Sequence, residues 1–389
     1  MIETAKYVIE LRLNGVLIGN IQPLAQNLVW ARRRTMAGVD SIDFTINDVL
    51  FARWCEERGT TIQDVLKPYA LDCRIIRNGE PVIGGFLATM PAYSPRGTSA
   101  DLALRFDGYT NLLAGVYMYP IGQQSGEAGA IFASWIQVAN SRAEAAGKGF
   151  DFLAGDVSTF PSIQQTFDNY KTIKDAIADR ADNLTGAGPF DLYWDADRTY
   201  NIIADSEFGK TIQDYVIKYP MAGQVGAVSI SANEVDGFAS SIIAVGAGEI
   251  SSDATKDTAI TYMNTDSAFV QEYGYAEMMY QDSSISVQAT LERNANARLA
   301  DAQDALWEPQ ITLSGRQVMP EPTEDARRLW IGDKVMIQNN EDLTGQTSGW
   351  FRVQELSVAV SAAGGEVITP VLKRVQNGQK ISRKKSRKS

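Results

Sequence analysis

The sequence has no histidine in 389 residues. That absence removes the Ser-His-Asp and Cys-His nucleophile systems, every histidine-ligated zinc site and the commonest general base. Cysteine is scarce too, with Cys55 and Cys73 the only two. Two thiols are too few for a cysteine-only zinc site or a disulfide framework. Free cysteine tends to be buried, so both are expected as free, buried thiols. Neither a metal nor a cofactor is expected. No run approaches the roughly 18 to 20 uninterrupted apolar residues of a membrane helix, so stable membrane insertion is not expected either. The amino terminus, MIETAKYVIELRLNG, places acids near its start and lacks a basic run followed by an apolar core. It does not read as a secretory signal. Catalysis by carboxylates is what these absences leave open.

What is present is the composition of a globular protein of two to three domains, with 44% hydrophobic and 21% charged residues. Charge is unevenly placed. Lys373 to Ser389 holds eight basic residues and no acid, leaving 28 basic against 47 acidic residues, or −19, in the rest of the chain. An acidic body should repel nucleic acid. The basic stretch, with Lys380, Arg383, Lys384, Lys385, Arg387 and Lys388 at its centre, is expected to be disordered and is the candidate interaction segment, for an acidic neighbour or for phosphate. It lacks interleaved aromatics and so offers no stacking platform for single strands.

The first hundred residues read as β structure. Tyr7 to Leu13, Asn14-Gly15 and Val16 to Ile18 have the form of a hairpin, because Asn-Gly supplies both positive-φ positions of a type I′ turn. Ser41 to Asn47 alternates with Ile42, Phe44 and Ile46 on one face. A short helix over Asp48 to Arg58 stops at Gly59. A second Asn-Gly hairpin joins Asp72–Arg77 to Pro81–Met90, and Ala100 to Asp107 is another strand. This pattern implies a small barrel or sandwich. Helices follow at Ala128–Ala146, with Ile131, Trp135, Val138 and Ala139 at helical spacing, and at Tyr170–Leu184. Phe190–Trp194 and Thr199–Ile203 then read as strands, giving an α/β segment. Strands return at Ala227–Ser231 and Ser240–Gly246, bracketing a polar turn around Asn233 to Gly237. Thr265 to Leu306 reads as mostly helical toward its end, with a seam of Leu291, Ala295, Leu299 and Leu306 that Trp307-Glu308-Pro309 stops. Gln310–Ser314, Lys334–Gln338, Trp350–Val360 and Val367–Leu372 are the last strands. A helical block inside a returning β pattern implies a discontinuous domain.

Several motifs carry chemistry in other settings. Phe208-Gly209-Lys210-Thr211 ends like a phosphate-binding loop, but Ala204 stands where that loop needs glycine. Gly246-Ala247-Gly248 opens like a dinucleotide fingerprint, but Ser251 breaks it, so a strand-ending turn is expected. Asp191, Asp195 and Asp197 form the most enzyme-like cluster, since paired carboxylates can hydrolyse glycosides when suitably spaced. Asp195 and Asp197 fit better as hairpin-turn residues bonding their own backbone. Asn183-Leu184-Thr185 is a formal glycosylation sequon. Arg32-Arg33-Arg34 precedes a strand and is either a charged interface loop or a solvated one.

Taken in order, the residues resemble the hub proteins of phage tails, a baseplate-hub or tail-associated family shared by long-tailed phages and related contractile machines. Arg74 to Leu87 (RIIRNGEPVIGGFL) is similar to the family's strand, Asn-Gly and strand near the amino terminus. Gly237 to Gly248 (GFASSIIAVGAG) is similar to its "N-x-V-x-V-x-G-x-G" strand, with Ser241 where the family pattern carries asparagine. Tyr273-Gly274, the helix Ala289 to Leu306, Pro309 and Gly332-Asp333-Lys334-Val335 resemble its downstream order. The resemblance spans nearly the whole chain.

It implies an α+β fold: two small antiparallel, tail-tube-like β-barrels with α/β domains, the second barrel discontinuous. The expected divisions are 1–108 for the first barrel, 109–205 for the α/β domain, 206–250 with 310–372 for the second barrel, 251–309 for the insert and 373–389 for the basic, flexible tail. It implies a homotrimer whose two barrels per chain give a pseudo-six-fold ring joining a six-fold tube to a three-fold tip. Implied partners are a distal tail or tail-tube protein, a central spike or fibre protein and the tape-measure protein, with viral DNA passing without specific binding. Some family members carry a terminal peptidoglycan hydrolase or long fibre. This chain stops about 15 residues after its last strand, which argues against either. The expectation is a structural virion protein of the tail tip, assembled in the host cytoplasm. The alternatives are a cell-wall glycosidase using paired aspartates and a receptor- or carbohydrate-binding tail module.

Overall fold

The computed structural model describes residues 5–34, 38–96, 99–119, 123–166, 171–181, 190–219, 225–232, 239–248, 258–283, 285–304, 307–314, 329–339, 348–361 and 365–375. The chain is mixed α+β and strand-rich. The first β region holds β1 (Tyr7–Leu13), β2 (Val16–Asn20), β3 (Ala25–Arg33), β4 (Ser41–Asn47), β5 (Leu71–Arg77), β6 (Glu80–Leu87), β7 (Ala92–Arg96) and β8 (Ser99–Gly108), with helices α1 (Asp48–Glu56) and α2 (Ile62–Val65) between β4 and β5. Both Asn-Gly turns take the left-handed conformation, with φ of 52° and 79° at Asn14 and Gly15 and 50° and 87° at Asn78 and Gly79. This is the geometry a two-residue hairpin needs to match strand twist. Helix α1 starts where Asn47 Oδ1 accepts from the Leu50 amide at 3.2 Å and ends ahead of Gly59 at φ 68°. It buries Phe51, Trp54 and Cys55 on one face.

A 3₁₀ helix (Tyr109–Gly115) leads into the α/β unit of β9 (Gln123–Glu127), α3 (Ala128–Ala145), β10 (Leu153–Val157), β11 (Ser162–Thr166), α4 (Ile173–Ala181), β12 (Phe190–Trp194) and β13 (Thr199–Ala204). Glu127 caps α3 through the amides of Gly129 and Ala130. The buried stripe of α3 is wider than the expected one: Phe132 and Ile136 join Ile131, Trp135 and Ala139, while Val138 is only half-buried. Strands β10, β13 and β12 form one sheet over this core, and β9 pairs with β11.

The remaining strands are β14 (Thr211–Tyr219), β15 (Val225–Ala232), β16 (Ser241–Val245), β17 (Thr261–Thr265), β18 (Glu277–Gln281), β19 (Trp307–Ser314), β20 (Lys334–Asn339), β21 (Gly349–Val360) and β22 (Glu366–Arg374), with α5 (Ser267–Tyr273) and α6 (Gln288–Asp304). Strands β17, β16 and β18 make a separate sheet packed on the Leu291–Ala295–Leu299 seam of α6. It lies in sequence between β15 and β19, which pair with each other in the main sheet. The stretch from Thr265 is helical toward its end, as expected, with strand β18 of alternating burial ahead of α6. The helix stops before Trp307, and the following strand starts there, three residues earlier than the expected Gln310. Leu306 and the turn around Asn233 to Gly237 lie outside the described residues.

The two β regions are one sheet. Strands run in the order β15-β19-β22-β21-β3-β4-β8-β6-β5-β1-β2, and β20 joins β14 to β21. Among the described residues the ladders do not close into barrels. The junction is β21. Gly349 to Arg352 pairs with β20, and Glu355 to Val360 pairs with β3 along the same edge. The register against β22 slips between Val353 and Glu355, as a bulge does. One hydrophobic core accordingly spans both regions, from Trp30, Ile42 and Phe106 to Val335, Phe351 and Ile368. Burying each such side chain contributes about 1.5–3 kcal/mol before entropy is counted. The tip of the β21–β22 hairpin reaches back to the first strands: Glu366 accepts from Arg77 at 2.7 and 2.8 Å and from the Tyr7 hydroxyl.

Candidate functional site

The slip in β21 marks where three parts of the chain meet, and the arginine triplet fills that point. The triplet is neither an interface loop nor a solvated one. Arg32 and Arg33 end β3, Arg34 follows, and Arg32 and Arg34 are only 3% and 6% exposed. Their backbone is tied on both sides, by the Arg33 amide to Asp40 Oδ1 at 2.7 Å and by the Arg34 amide to the Gln354 carbonyl at 2.9 Å. A guanidinium has five fixed donors and stays charged, so burial demands a partner for each. Arg32 donates to Asp40 Oδ2 at 3.2 Å, to the Val82 carbonyl at 3.1 Å and to the Trp194 carbonyl at 2.5 Å. Its guanidinium also lies 5.4 Å from the centroid of the Trp330 ring. Arg33 spans the Val39 carbonyl and Glu355.

Arg34 takes the fully buried Asp191 carboxylate with Nε and Nη2, at 3.0 and 2.5 Å, and shares Nη2 with Asp205 at 2.5 Å. Asp205 also accepts from Arg352 of β21, which donates a second bond to the Asp205 backbone carbonyl at 3.1 Å. Two arginines and two aspartates make a neutral, largely buried joint between the first β region, the α/β unit and the second β region. Burial works to raise the Asp205 carboxyl, but Arg34 and Arg352 outweigh it and hold the group below the ordinary carboxylate range. Burial alone would lower Arg34, and Asp191 with Asp205 reverses that.

The hairpin between β12 and β13 seats the α/β unit on the first sheet. Arg198, in a left-handed conformation at φ 71°, closes a two-pronged pair on Asp72 at 2.7 and 2.8 Å. Arg74 donates to the Ala196 carbonyl at 3.0 Å. Gly84 leaves room for this seat: a Cβ there would lie 2.7 Å from the Ala196 carbonyl oxygen. Asp195 and Asp197 behave as turn residues. Asp197 Oδ1 accepts from the Thr199 amide at 3.1 Å, and Asp195 Oδ2 accepts from Asn201 at 3.0 Å. The aspartate cluster is thus divided, with Asp191 committed to Arg34 inside the joint and its two neighbours committed to the turn.

The Phe208-Gly209-Lys210-Thr211 segment is a packing element. Gly209, at φ 74°, lies against Gly332 so closely that a Cβ would fall 2.1 Å from its carbonyl carbon. Asp333 accepts from the Lys210 amide at 3.0 Å and from the Trp330 amide at 2.8 Å, and the Lys334 amide donates to the Lys210 carbonyl at 2.8 Å. The backbone that a phosphate would need is occupied by protein. Gly246-Ala247-Gly248 is a strand-ending turn, as expected, with Gly246 and Ala247 bonded to Ile260 and Ile285. Cys55 and Cys73 are free and buried. Among the described residues no group of three or more cysteine, aspartate or glutamate side chains could hold a metal ion, and no helix is long and apolar enough to cross a membrane. Lys373 and Arg374 belong to β22, so the first two residues of the range expected for the flexible tail lie in a strand. Lys380, Arg383, Lys384, Lys385, Arg387 and Lys388, and the sequon Asn183-Leu184-Thr185, lie outside the described residues. The joint itself escaped the sequence reading, because its partners lie 157 and 171 residues from Arg34.

No family model matches the sequence, and no curated protein matches it. Solved structures do match in fold. A tail protein from Neisseria meningitidis MC58 aligns at a TM-score of 0.65 and 12% identity, over 95% of this chain and 96% of that one. The 43 kDa tail protein of prophage MuSo2 from Shewanella oneidensis aligns at 0.65 and 14%, over 94% and 98%. The prophage tail protein gp18 from Listeria monocytogenes EGD-e aligns at 0.58 and 11%, over 96% of both chains. Over its whole length, this chain shares the fold of phage tail proteins.

Proposed function

We propose that the chain is a structural protein of a phage-like virion, a homotrimeric tail-tip or baseplate hub. It would join a six-fold tail tube or distal tail ring to a three-fold spike or fibre, and line the passage for DNA. The observation that carries this reading is the whole-chain likeness in fold to three tail proteins, covering 94–96% of this chain. The continuous sheet supports it. Two β regions fused through β21 and one core form a stiff unit. A hub works by holding interfaces at fixed angles, and needs no turnover to do so. A ring of such chains would present two β regions per subunit, which matches six-fold and three-fold neighbours.

The glycosidase alternative loses its residues. Asp191 is sequestered by Arg34, and Asp195 and Asp197 hold a turn. The proposed partners are the tail-tube or distal tail protein, the central spike or fibre and the tape-measure protein. An acidic body of −19 suits a passage wall that does not retain DNA. The basic segment Lys380 to Lys388 is proposed to dock on an acidic neighbour. Deleting it should weaken assembly, with recovery at low salt; no effect at any salt would end that idea.

Light scattering at several concentrations and two salt levels tests the hub. A mass near three times the 42.6 kDa chain, and rings in negative stain, are expected. A persistent monomer that releases sugar from cell walls, and loses that activity on Asp191→Asn, would replace the hub with the glycosidase.

A further inference from the structure

The two Asn-Gly turns share a left-handed backbone and differ in how their asparagines are held. Asn78 is half-buried and clamped. The Lys6 amide donates to Asn78 Oδ1 at 2.8 Å, and the Asn78 amide donates to the Lys6 carbonyl at 2.8 Å. Asn14 is exposed, and only its backbone is tied, through its amide to the Ala70 carbonyl at 2.8 Å. Among the described residues nothing bonds its side chain. Their hairpins differ too. Strands β5 and β6 lie inside the sheet, between β1 and β8, whereas β2 is the last strand. Val16 and Leu17, which follow the first turn, are 68% and 50% exposed. A hairpin that buries little on one strand and has a neighbour on one side only opens at low cost.

Asparagine followed by glycine can react with its own main chain. The glycine nitrogen attacks the asparagine Cγ, and the new N–C bond closes a succinimide. The Cγ–Nδ2 bond breaks, the glycine N–H proton goes to the departing nitrogen, and ammonia leaves. Water then opens the ring at either carbonyl, giving aspartate or isoaspartate. Glycine obstructs the approach least, because it has no Cβ. Crowding does not separate the two sites here, since a Cβ at Gly15 or at Gly79 would meet nothing within 4 Å. The asparagine's freedom does. The ring closes only when the side chain and the following amide turn toward each other, and the Lys6 clamp opposes that at Asn78.

We propose that Asn14 is a deamidation site of the folded chain, and that the clamp on Lys6 protects Asn78. Either product places a new carboxylate at the tip of the first hairpin. Isoaspartate also adds a methylene to the main chain, which a two-residue turn does not fit, so β2 loosens from β1. The test is incubation of the full chain in mildly alkaline buffer, native and in urea, followed by peptide mass mapping with isoaspartate detection. In the native chain Asn14 is expected to convert at least fivefold faster than Asn78. In urea, where the turns and the clamp are gone, the two rates should agree within twofold. Equal rates in the native chain, faster conversion at Asn78, no conversion at Asn14, or a native ratio that persists in urea would overturn the assignment. Amide exchange of the aged chain should rise in Val16 to Asn20 and stay unchanged in Glu80 to Leu87. A rise in both hairpins, or in neither, would overturn the loosening of β2.

Discussion

Asp205 accepts from Arg34 at 2.5 Å and from Arg352 as well, so one partly buried carboxylate holds a guanidinium from each of the two β regions. Arg34 in turn carries Asp191 from the α/β unit. Such a network is poor evidence for stability as such, because desolvating four charges offsets much of their attraction. Its effect is on geometry, since any rotation of one part would strand a buried charge.

Breaking the joint from one side should therefore cost more than removing a pair. Arg34→Ala takes the two-bonded guanidinium away from the fully buried Asp191 and should destabilise the chain by about 3–5 kcal/mol. Arg34→Met combined with Asp191→Leu removes both charges and fills the space, and should recover more than half of that loss. Urea unfolding of the three chains at constant slope measures it. Equal loss in the single and double variants would show that the carboxylate left behind is not the cause.

The same joint sets an acid limit. The folded-state carboxyl of Asp205 is held below its ordinary value, so the unfolded chain binds its proton first as pH falls. Its stabilising contribution is complete above the ordinary carboxylate value, about 3.9, and disappears as pH falls through the lower folded value. Asp205→Asn should be less stable than the wild type at neutral pH, and the gap should close below about pH 4. Unfolding midpoints from pH 7 to pH 2.5 check this; a gap that widens on acidification would contradict it.

Local chemistry was legible and distant pairing was not. The Asn-Gly turns, strand β4 and the starts of α1 and α3 each depend on a turn, an alternation or a cap within a few residues, and each stands where the sequence placed it, while α1 ends two residues short of the expected Arg58. Strand β3 was missed because its polar Gln26, Asn27, Arg32 and Arg33 hide its alternation. Arg32 becomes burial-compatible only through Asp40 and the carbonyls of Val82 and Trp194. The two separate barrels were what the resemblance implied, and nothing local in Trp350 to Val360 shows that its halves pair with different strands. The Gly209-Lys210 segment ends like a phosphate loop, which Ala204 already argued against, because glycine is required equally by a phosphate and by the backbone of Gly332.

That last point predicts a contrast between two glycines of similar backbone. Gly59 and Gly209 have φ of 68° and 74°. A Cβ at Gly59 meets nothing within 4 Å, whereas at Gly209 it falls 2.1 Å from backbone atoms of Gly332. Gly59→Ala should cost about 1–2 kcal/mol, the left-handed penalty alone. Gly209→Ala must also push apart the Phe208 and Gly332 segments, and should cost clearly more and expose the β14–β20 edge to proteolysis. Denaturant midpoints and trypsin sensitivity distinguish the two.

The hairpin tip at Glu366 offers a last test of how the sheet is held where, among the described residues, its ladders do not close. Glu366 is half-buried with Arg77 against the buried Tyr7, at the far end of β21 from the slip. Burial, with Glu366 beside it, pushes the Tyr7 hydroxyl far above its ordinary value, so it remains a donor at any working pH. Glu366→Ala removes the two-bonded carboxylate from the Arg77 guanidinium and should cost about 3 kcal/mol, within the range for a broken buried pair. If the tip is what fastens β22 to β1 and β5, amide exchange should accelerate first in Tyr7 to Leu13 and in Glu366 to Thr369, while β12 and β13 keep their protection. Uniform acceleration would mean that the pair supports the whole fold and not this closure. Unchanged exchange would mean that the shared core of Trp30, Val358 and Ile368 holds the tip without it.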